Sequence, residues 1–179
     1  EGRYMQPVEL PGLLKGSALH ITLPPASITT LLLPIERLTA SADQSVSEGT
    51  YMIVPQSNCE MALTAAAGKI RLAQADSDDK RQLWRVSRTG GRFTLTNGAG
   101  ETITDKGEYL LSAEKGKADR QAFGIEPVED YFHKITNADG KAFDLQNEGL
   151  LEGTPVGLYP YGESVSADTR NWQLIRILE

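Results

Sequence analysis

The sequence predicts an all-β protein whose larger part consists of three units of about forty residues. Two observations predict it. From Gly49 onward no segment holds a helical period over ten residues, and short alternating runs are separated by Gly, Asn and Asp. Apolar residues in those runs then return in one register three times along the chain. The 179 residues allow one domain, or a small domain with an appendage. A hydrophobic share of 40% against 23% charged residues is enough to pack a core.

The first elements stand apart from the repeats. Residues 19–23 alternate apolar and polar, and residues 27–33 are rich in β-branched and apolar types. Pro24-Pro25 between them forbids a helix and forces a turn. Residues 1–33 therefore read as a β-hairpin or two sandwich strands. Two strands are too few to be stable alone, so they are expected to pack on the rest of the chain. Residues 34–48 turn polar around Thr39-Ala40-Ser41-Ala42-Asp43-Gln44-Ser45 and read as a linker, with only a weak helical pattern over 35–42.

In the remainder, residues 51–54, 93–96, 134–136 and 157–159 are strand-like. Ile53, Leu95 and Ile135 are spaced 42 and 40 apart, and Met61, Ile103 and Phe143 follow each of them by eight. The units close on Trp84, Phe123 and Trp172, each with an aliphatic residue two positions later: Val86, Ile125 and Leu174. Two turns also match, Thr96-Asn97-Gly98-Ala99-Gly100 and Thr136-Asn137-Ala138-Asp139-Gly140. The units span residues 49–90, 91–130 and 131–179. A unit of this size cannot bury a core alone, whereas three around a pseudo-threefold axis share one. Trp84, Phe123 and Trp172 are its expected centre.

The strings Gln82-Leu83-Trp84, Gln121-Ala122-Phe123 and Arg170-Asn171-Trp172 resemble the Gln-x-Trp mark of the ricin B-type lectin β-trefoil. The first matches fully; the others keep the aromatic position and change one member. The resemblance covers residues 49–179 and implies a β-trefoil that binds a polysaccharide or glycan without catalysis. The segment around His20-Ile21-Thr22-Leu23-Pro24-Pro25 is similar to the closing strands of the β-sandwich attached to family-30-like glycoside hydrolases. Together the two pieces resemble the carboxyl end of a secreted, periplasmic or cell-surface glycoside hydrolase. Its catalytic domain would lie upstream. The start at Glu1, with no basic and apolar leader pattern, fits an excised part of a longer chain. A different reading is a trefoil that has lost sugar binding and serves as a structural or protein-interaction spacer.

In that lectin family an Asp follows the apolar residue of the second strand, and an aromatic stands on a later strand of the same repeat. The first repeat has Ala62 and Ala73 at these places, and the second has Thr104 and Ser112, with Asp105 and Tyr109 nearby. The third has Asp144 and Tyr159. It is also the longest, with extra residues around 146–154 and 161–169, and loops on a closed scaffold commonly carry binding groups. The resemblance thus implies Asp144 as hydroxyl acceptor, Tyr159 as stacking platform, Asn147 and Tyr161 as rim contacts and Arg170 as an added donor. Gly157 and Arg170 depart from the family pattern.

Composition and motifs exclude other classes. A formal charge of −6 argues against nucleic acid, and no apolar run approaches the roughly 20 residues of a membrane helix. The single cysteine, Cys59, allows neither an intrachain disulfide nor a multi-cysteine metal site. Asp76-Ser77-Asp78-Asp79 lacks the glycine and terminal glutamate of a calcium loop and reads as a solvated turn. Gly90-Gly91 and Asn97-Gly98-Ala99-Gly100 have no Lys-Ser/Thr after them, so no phosphate cradle is expected. His20 and His133 sit beside no nucleophile motif. No cofactor or metal is expected.

Overall fold

The computed structural model describes residues 14–15, 18–19, 45–107, 110–115, 120–129, 131–161 and 169–177. The chain divides into two compact units, Glu1–Thr39 and Ala40–Glu179. In the first, β1 (Leu14–Lys15) and β2 (Ala18–Leu19) pair antiparallel. The strands expected over 20–23 and 27–33, the segment 34–44 and His20 lie outside the described residues.

The second unit has four strands per repeat. The first repeat supplies β3 (Gly49–Pro55), β4 (Met61–Ala66), β5 (Lys69–Gln74) and β6 (Leu83–Thr89). The second supplies β7 (Arg92–Asn97), β8 (Glu101–Gly107), β9 (Leu110–Lys115) and β10 (Gly124–Glu129). The third supplies β11 (Phe132–Thr136), β12 (Lys141–Leu145), β13 (Val156–Pro160) and β14 (Trp172–Arg176). The first and last strand of each repeat close a ring: β3 pairs β6, β6 pairs β7, β10 pairs β11, β11 pairs β14 and β14 pairs β3. The remaining seam is sealed by Phe93 and Phe123, whose amides and carbonyls exchange two bonds of 2.8 Å. Closure leaves no unpaired edge in the ring.

The middle strands form three hairpins, β4–β5, β8–β9 and β12–β13, which touch each other at Lys69 and Ser112, at Leu110 and Gly157, and at Arg71 and Pro155. Alternation decides what they bury. Ile53, Leu95, Ile135, Trp84, Phe123 and Trp172 are fully buried, as are Leu63, Ile103 and Phe143. Rings of this size each remove roughly 150–250 Å² from water, on the order of 4–6 kcal/mol of transfer before ordering costs. Phe143 meets Phe123 edge-on at 5.1 Å and Trp172 at 6.5 Å, joining repeats two and three.

The indoles fix the internal register. Trp84 Nε1 donates to the Leu63 carbonyl at 2.8 Å, and Trp172 Nε1 to the Phe143 carbonyl at 3.2 Å. Leu63, not Met61, is therefore the first repeat's counterpart of Ile103 and Phe143. The turns before the second strands are equally repetitive. Asn97 Oδ1 accepts from the amides of Ala99 and Glu101, and Asn137 Oδ1 from those of Asp139 and Lys141. Gly100 and Gly140 close these turns with φ of 80° and 78°, which only glycine adopts without strain.

Candidate functional site

On the β12–β13 hairpin, Phe143, Leu145 and Leu158 face inward, so Asp144, Gly157 and Tyr159 face out. Asp144 stands directly opposite Gly157, and Tyr159 opposite Ala142, diagonal to Asp144. Such diagonal neighbours are about 7–8 Å apart, within reach of one ligand. Gly157 has no side chain, so the surface between Asp144 and Tyr159 stays open.

Arg170, just before β14, closes one side. It is buried, its Nη1 donates to the Pro160 carbonyl at 3.0 Å, and its Nε lies 3.4 Å from Asp144 Oδ1. Its Cζ stands 4.9 Å from the centre of the Tyr159 ring, a cation–π contact. Thr169 Oγ1 donates to the same Asp144 Oδ1 at 2.9 Å. Both partners fall on Oδ1; among the described residues none bonds Oδ2. The Tyr159 ring remains 48% exposed.

The other side is the 3-10 turn Gln146–Glu148. The Gln146 amide donates to the Pro155 carbonyl at 3.0 Å, which ties the turn to β13. Asn147 and Glu148 hold φ of 56° and 53°, in the left-handed region that costs L-residues roughly 1–2 kcal/mol each. Asn tolerates it through its short amide, Glu does not. Strain of this kind gathers at ligand sites. Asp144, Gly157, Tyr159, Arg170 and the turn Gln146–Glu148, with Leu145 and Leu158, line a cavity of about 530 Å³.

Four of the five expected residues, Asp144, Tyr159, Asn147 and Arg170, thus meet at one cavity. Tyr161 is not in its lining. Its hydroxyl donates to Asn171 Oδ1 at 3.0 Å, Lys134 Nζ sits 5.2 Å from its ring centre, and Asn171 passes the network to Gln56. Sequence reasoning missed Thr169, Gln146 and Glu148. All three lie in the two long loops, 146–154 and 161–169, that the sequence marks out, but no local pattern names them individually.

The first two repeats lack these groups, although not at the positions expected. By the hairpin registers, Thr64 and Thr104 occupy the place of Asp144, Arg71 and Ser112 that of Gly157, and Ala73 and Glu114 that of Tyr159. The expected Ala62 and Ser112 are each two residues off, because the first-repeat register was set on Met61 and the aromatic position was counted without pairing. Thr64 and Thr104 turn their hydroxyls onto the carbonyls of Ala62 and Thr102 at 3.1 and 3.2 Å. Gln82 Nε2 donates to the Gln74 carbonyl at 2.8 Å. Arg170 makes the equivalent bond to Pro160, with a longer side chain that also reaches Asp144.

Elsewhere, Asp76–Asp79 is a turn in which Asp76 Oδ1 accepts the Asp78 amide and Asp79 pairs with Arg81. Cys59 is exposed and free, and His133 sits opposite Trp172 in the β11–β14 pair.

No protein family and no curated protein matches this sequence. Solved structures do. A mosquitocidal holotoxin superimposes at TM-score 0.66 and 15% identity over 75% of this chain, which spans only 18% of the toxin chain. The Rhizoctonia solani agglutinin matches at TM-score 0.62 and 22% identity over 74% of this chain and 98% of its own. The Macrolepiota procera ricin B-like lectin, solved in complex with lactose, matches at TM-score 0.63 and 20% identity over 74% and 99%. The fold is a β-trefoil. At these identities the likeness concerns the fold of the trefoil, and its chemistry rests on the residues above.

Proposed function

We propose that the trefoil is a non-catalytic carbohydrate-binding module with one sugar site, the third-repeat cavity. The carrying observation is the asymmetry of the repeats: among the described residues, only the third pairs a carboxylate with a half-exposed aromatic across an open glycine. Lactose binding by the structurally similar Macrolepiota procera lectin supports the reading. Asp144 Oδ2 accepts hydrogen bonds from adjacent hydroxyls, while Thr169 and Arg170 hold Oδ1 in place. Tyr159 stacks on the C–H face of the ring, and Asn147 contacts the rim. Tyr161, outside the lining, takes no part. Each polar contact nets only about 1 kcal/mol, so affinity falls between roughly −4 and −8 kcal/mol. A site that weak serves a tethered protein, because tethering raises effective concentration. An upstream glycoside hydrolase in a secreted, periplasmic or cell-surface protein is the attachment that the amino-terminal resemblance favours.

Retention of the chain on a panel of plant and host polysaccharides tests the proposal. Asp144→Asn and Tyr159→Ala should each lower retention at least tenfold. Undiminished retention in both variants moves the site out of the third repeat. Absence of retention on every glycan favours the second reading, a spacer, which the Thr64 and Thr104 hydroxyls of the other repeats, bonded back to their own strands, also support.

A further inference from the structure

Where the three hairpins converge on the pseudo-threefold axis, a second cavity of about 310 Å³ opens. Its charged lining is Lys69 and Arg71 from β5 and Lys106 from β8, with Ser112 and Gln146 as neutral polar groups. In a chain of formal charge −6, three cations and no carboxylate line this cavity among the described residues. Lys106 pairs with Glu114 at 2.8 Å, outside the lining, whereas Lys69 and Arg71 enter no ion pair among the described residues. Arg71 Nε is buried without a hydrogen-bond partner, an uncommon and costly state for a charged donor.

The backbone makes this a fixed site. The Ala113 amide donates to the Gly68 carbonyl at 3.1 Å, and Leu72 exchanges bonds with Thr154 and Gly153 at 2.9 and 2.8 Å. β5 is therefore pinned to the second repeat on one side and to the third on the other. Lys69 and Arg71 are two apart on that strand, so they point to the same face.

We infer that this axial cavity binds a tetrahedral oxyanion, the sulfate or phosphate group of a small ligand. The fork of Arg71 matches two oxygens of such a group, and the lysines act as point charges on the others. Three cations suit a dianion better than a single carboxylate. A long polyanion is disfavoured by the net charge of −6 on the chain. The group belongs either to a free inorganic ion or to an ester on a saccharide, and Gln146, which lines both cavities, leaves the second source in reach of the third-repeat site.

Calorimetry on the whole chain, with sodium sulfate, sodium phosphate, a sulfated disaccharide and its unsulfated parent, tests the inference. Amide shifts of Gly68, Lys69 and Ser112 map the site. Saturable one-to-one binding that weakens with salt, and about tenfold with Arg71→Gln or Lys69→Gln but not with Lys80→Gln, is the expected result. Inorganic ions binding as tightly as the sulfated disaccharide identify a free ion; tighter disaccharide binding identifies an ester. Absence of saturable binding for every anionic probe, or binding unchanged in both cavity variants, overturns the inference. Lys69 is exposed, so its variant stands as the test if Arg71→Gln does not fold.

Discussion

Arg170 Cζ lies 4.9 Å from the centre of the Tyr159 ring while its Nε stands 3.4 Å from Asp144 Oδ1. One buried guanidinium thus braces both proposed sugar-contacting groups and caps the Pro160 carbonyl. Arg170→Ala should destabilise the trefoil by about 2–3 kcal/mol, since it leaves a partly buried carboxylate and a carbonyl short of partners. Glycan affinity should fall more than tenfold. Arg170→Gln, able to bond Pro160 as Gln82 bonds Gln74, should recover stability to within about 1 kcal/mol of the native protein while affinity stays low. Urea unfolding and calorimetry separate the two effects. Equal destabilisation by both substitutions would show that the Pro160 bond is not what Arg170 contributes to folding.

The core aromatics make a graded prediction. Trp84→Phe removes the 2.8 Å bond to the Leu63 carbonyl and opens space beside it, at a cost of about 2–3 kcal/mol. Trp172→Phe, whose bond to Phe143 is longer at 3.2 Å, should cost less. Phe123→Ala loses the edge contact with Phe143 and should cost about 3–5 kcal/mol. Urea midpoints should descend from Trp172→Phe through Trp84→Phe to Phe123→Ala, the lowest. A reversed order for the two indoles would mean that packing, not the bond, dominates.

The repeat was legible because three copies of one pattern cannot all be accidental: Ile53, Leu95 and Ile135, and Trp84, Phe123 and Trp172, recur at fixed spacing and are all fully buried. Asp144 and Tyr159 stand out in the same comparison, as departures from the other two copies. What failed was pairing. Met61 and Leu63 are both apolar on one strand, and only the Trp84 indole chooses between them. Tyr161 and Tyr159 stand two apart at the end of β13, yet Asn171 and Lys134 take the former away from the cavity. Long-range side-chain partners such as Thr169 for Asp144 leave no local pattern to read.

Asp79 makes a pH prediction. The Arg81 side chain bonds it in fork fashion, Nε to Oδ1 at 2.9 Å and Nη2 to Oδ2 at 2.7 Å, and holds its carboxyl below the usual carboxylate range, with burial opposing. A depressed folded value means that its contribution is present above the unfolded carboxylate pKa, near about 4, and is lost as pH falls through the folded value. Carboxyl NMR should show Asp79 titrating below the ordinary carboxylate range in the native protein and returning to it in Arg81→Ala. The neutral-pH stability loss should be small, as for surface pairs, and vanish in acid. An unmoved Asp79 titration in Arg81→Ala would assign its depression to the backbone of the turn.

The repeat symmetry allows a second copy of the proposed sugar site to be built. In the first repeat, Thr64, Arg71 and Ala73 stand where the third has Asp144, Gly157 and Tyr159, and Gln82 stands where it has Arg170. Thr64→Asp with Ala73→Tyr restores the carboxylate and the ring, but Arg71, not a glycine, stands opposite the new carboxylate. The double variant should therefore keep a calorimetric stoichiometry of one glycan, and only the triple variant with Arg71→Gly should reach two. The added strand glycine and the lost Thr64 hydroxyl bond should cost the triple variant about 2 kcal/mol in unfolding experiments. Two sites in the double variant would show that Gly157 is not what opens the native cavity. One site in the triple would assign the decisive role to the turn Gln146–Glu148, because the first repeat replaces it with a tight turn at Ala67 and Gly68, φ of 51° and 71°.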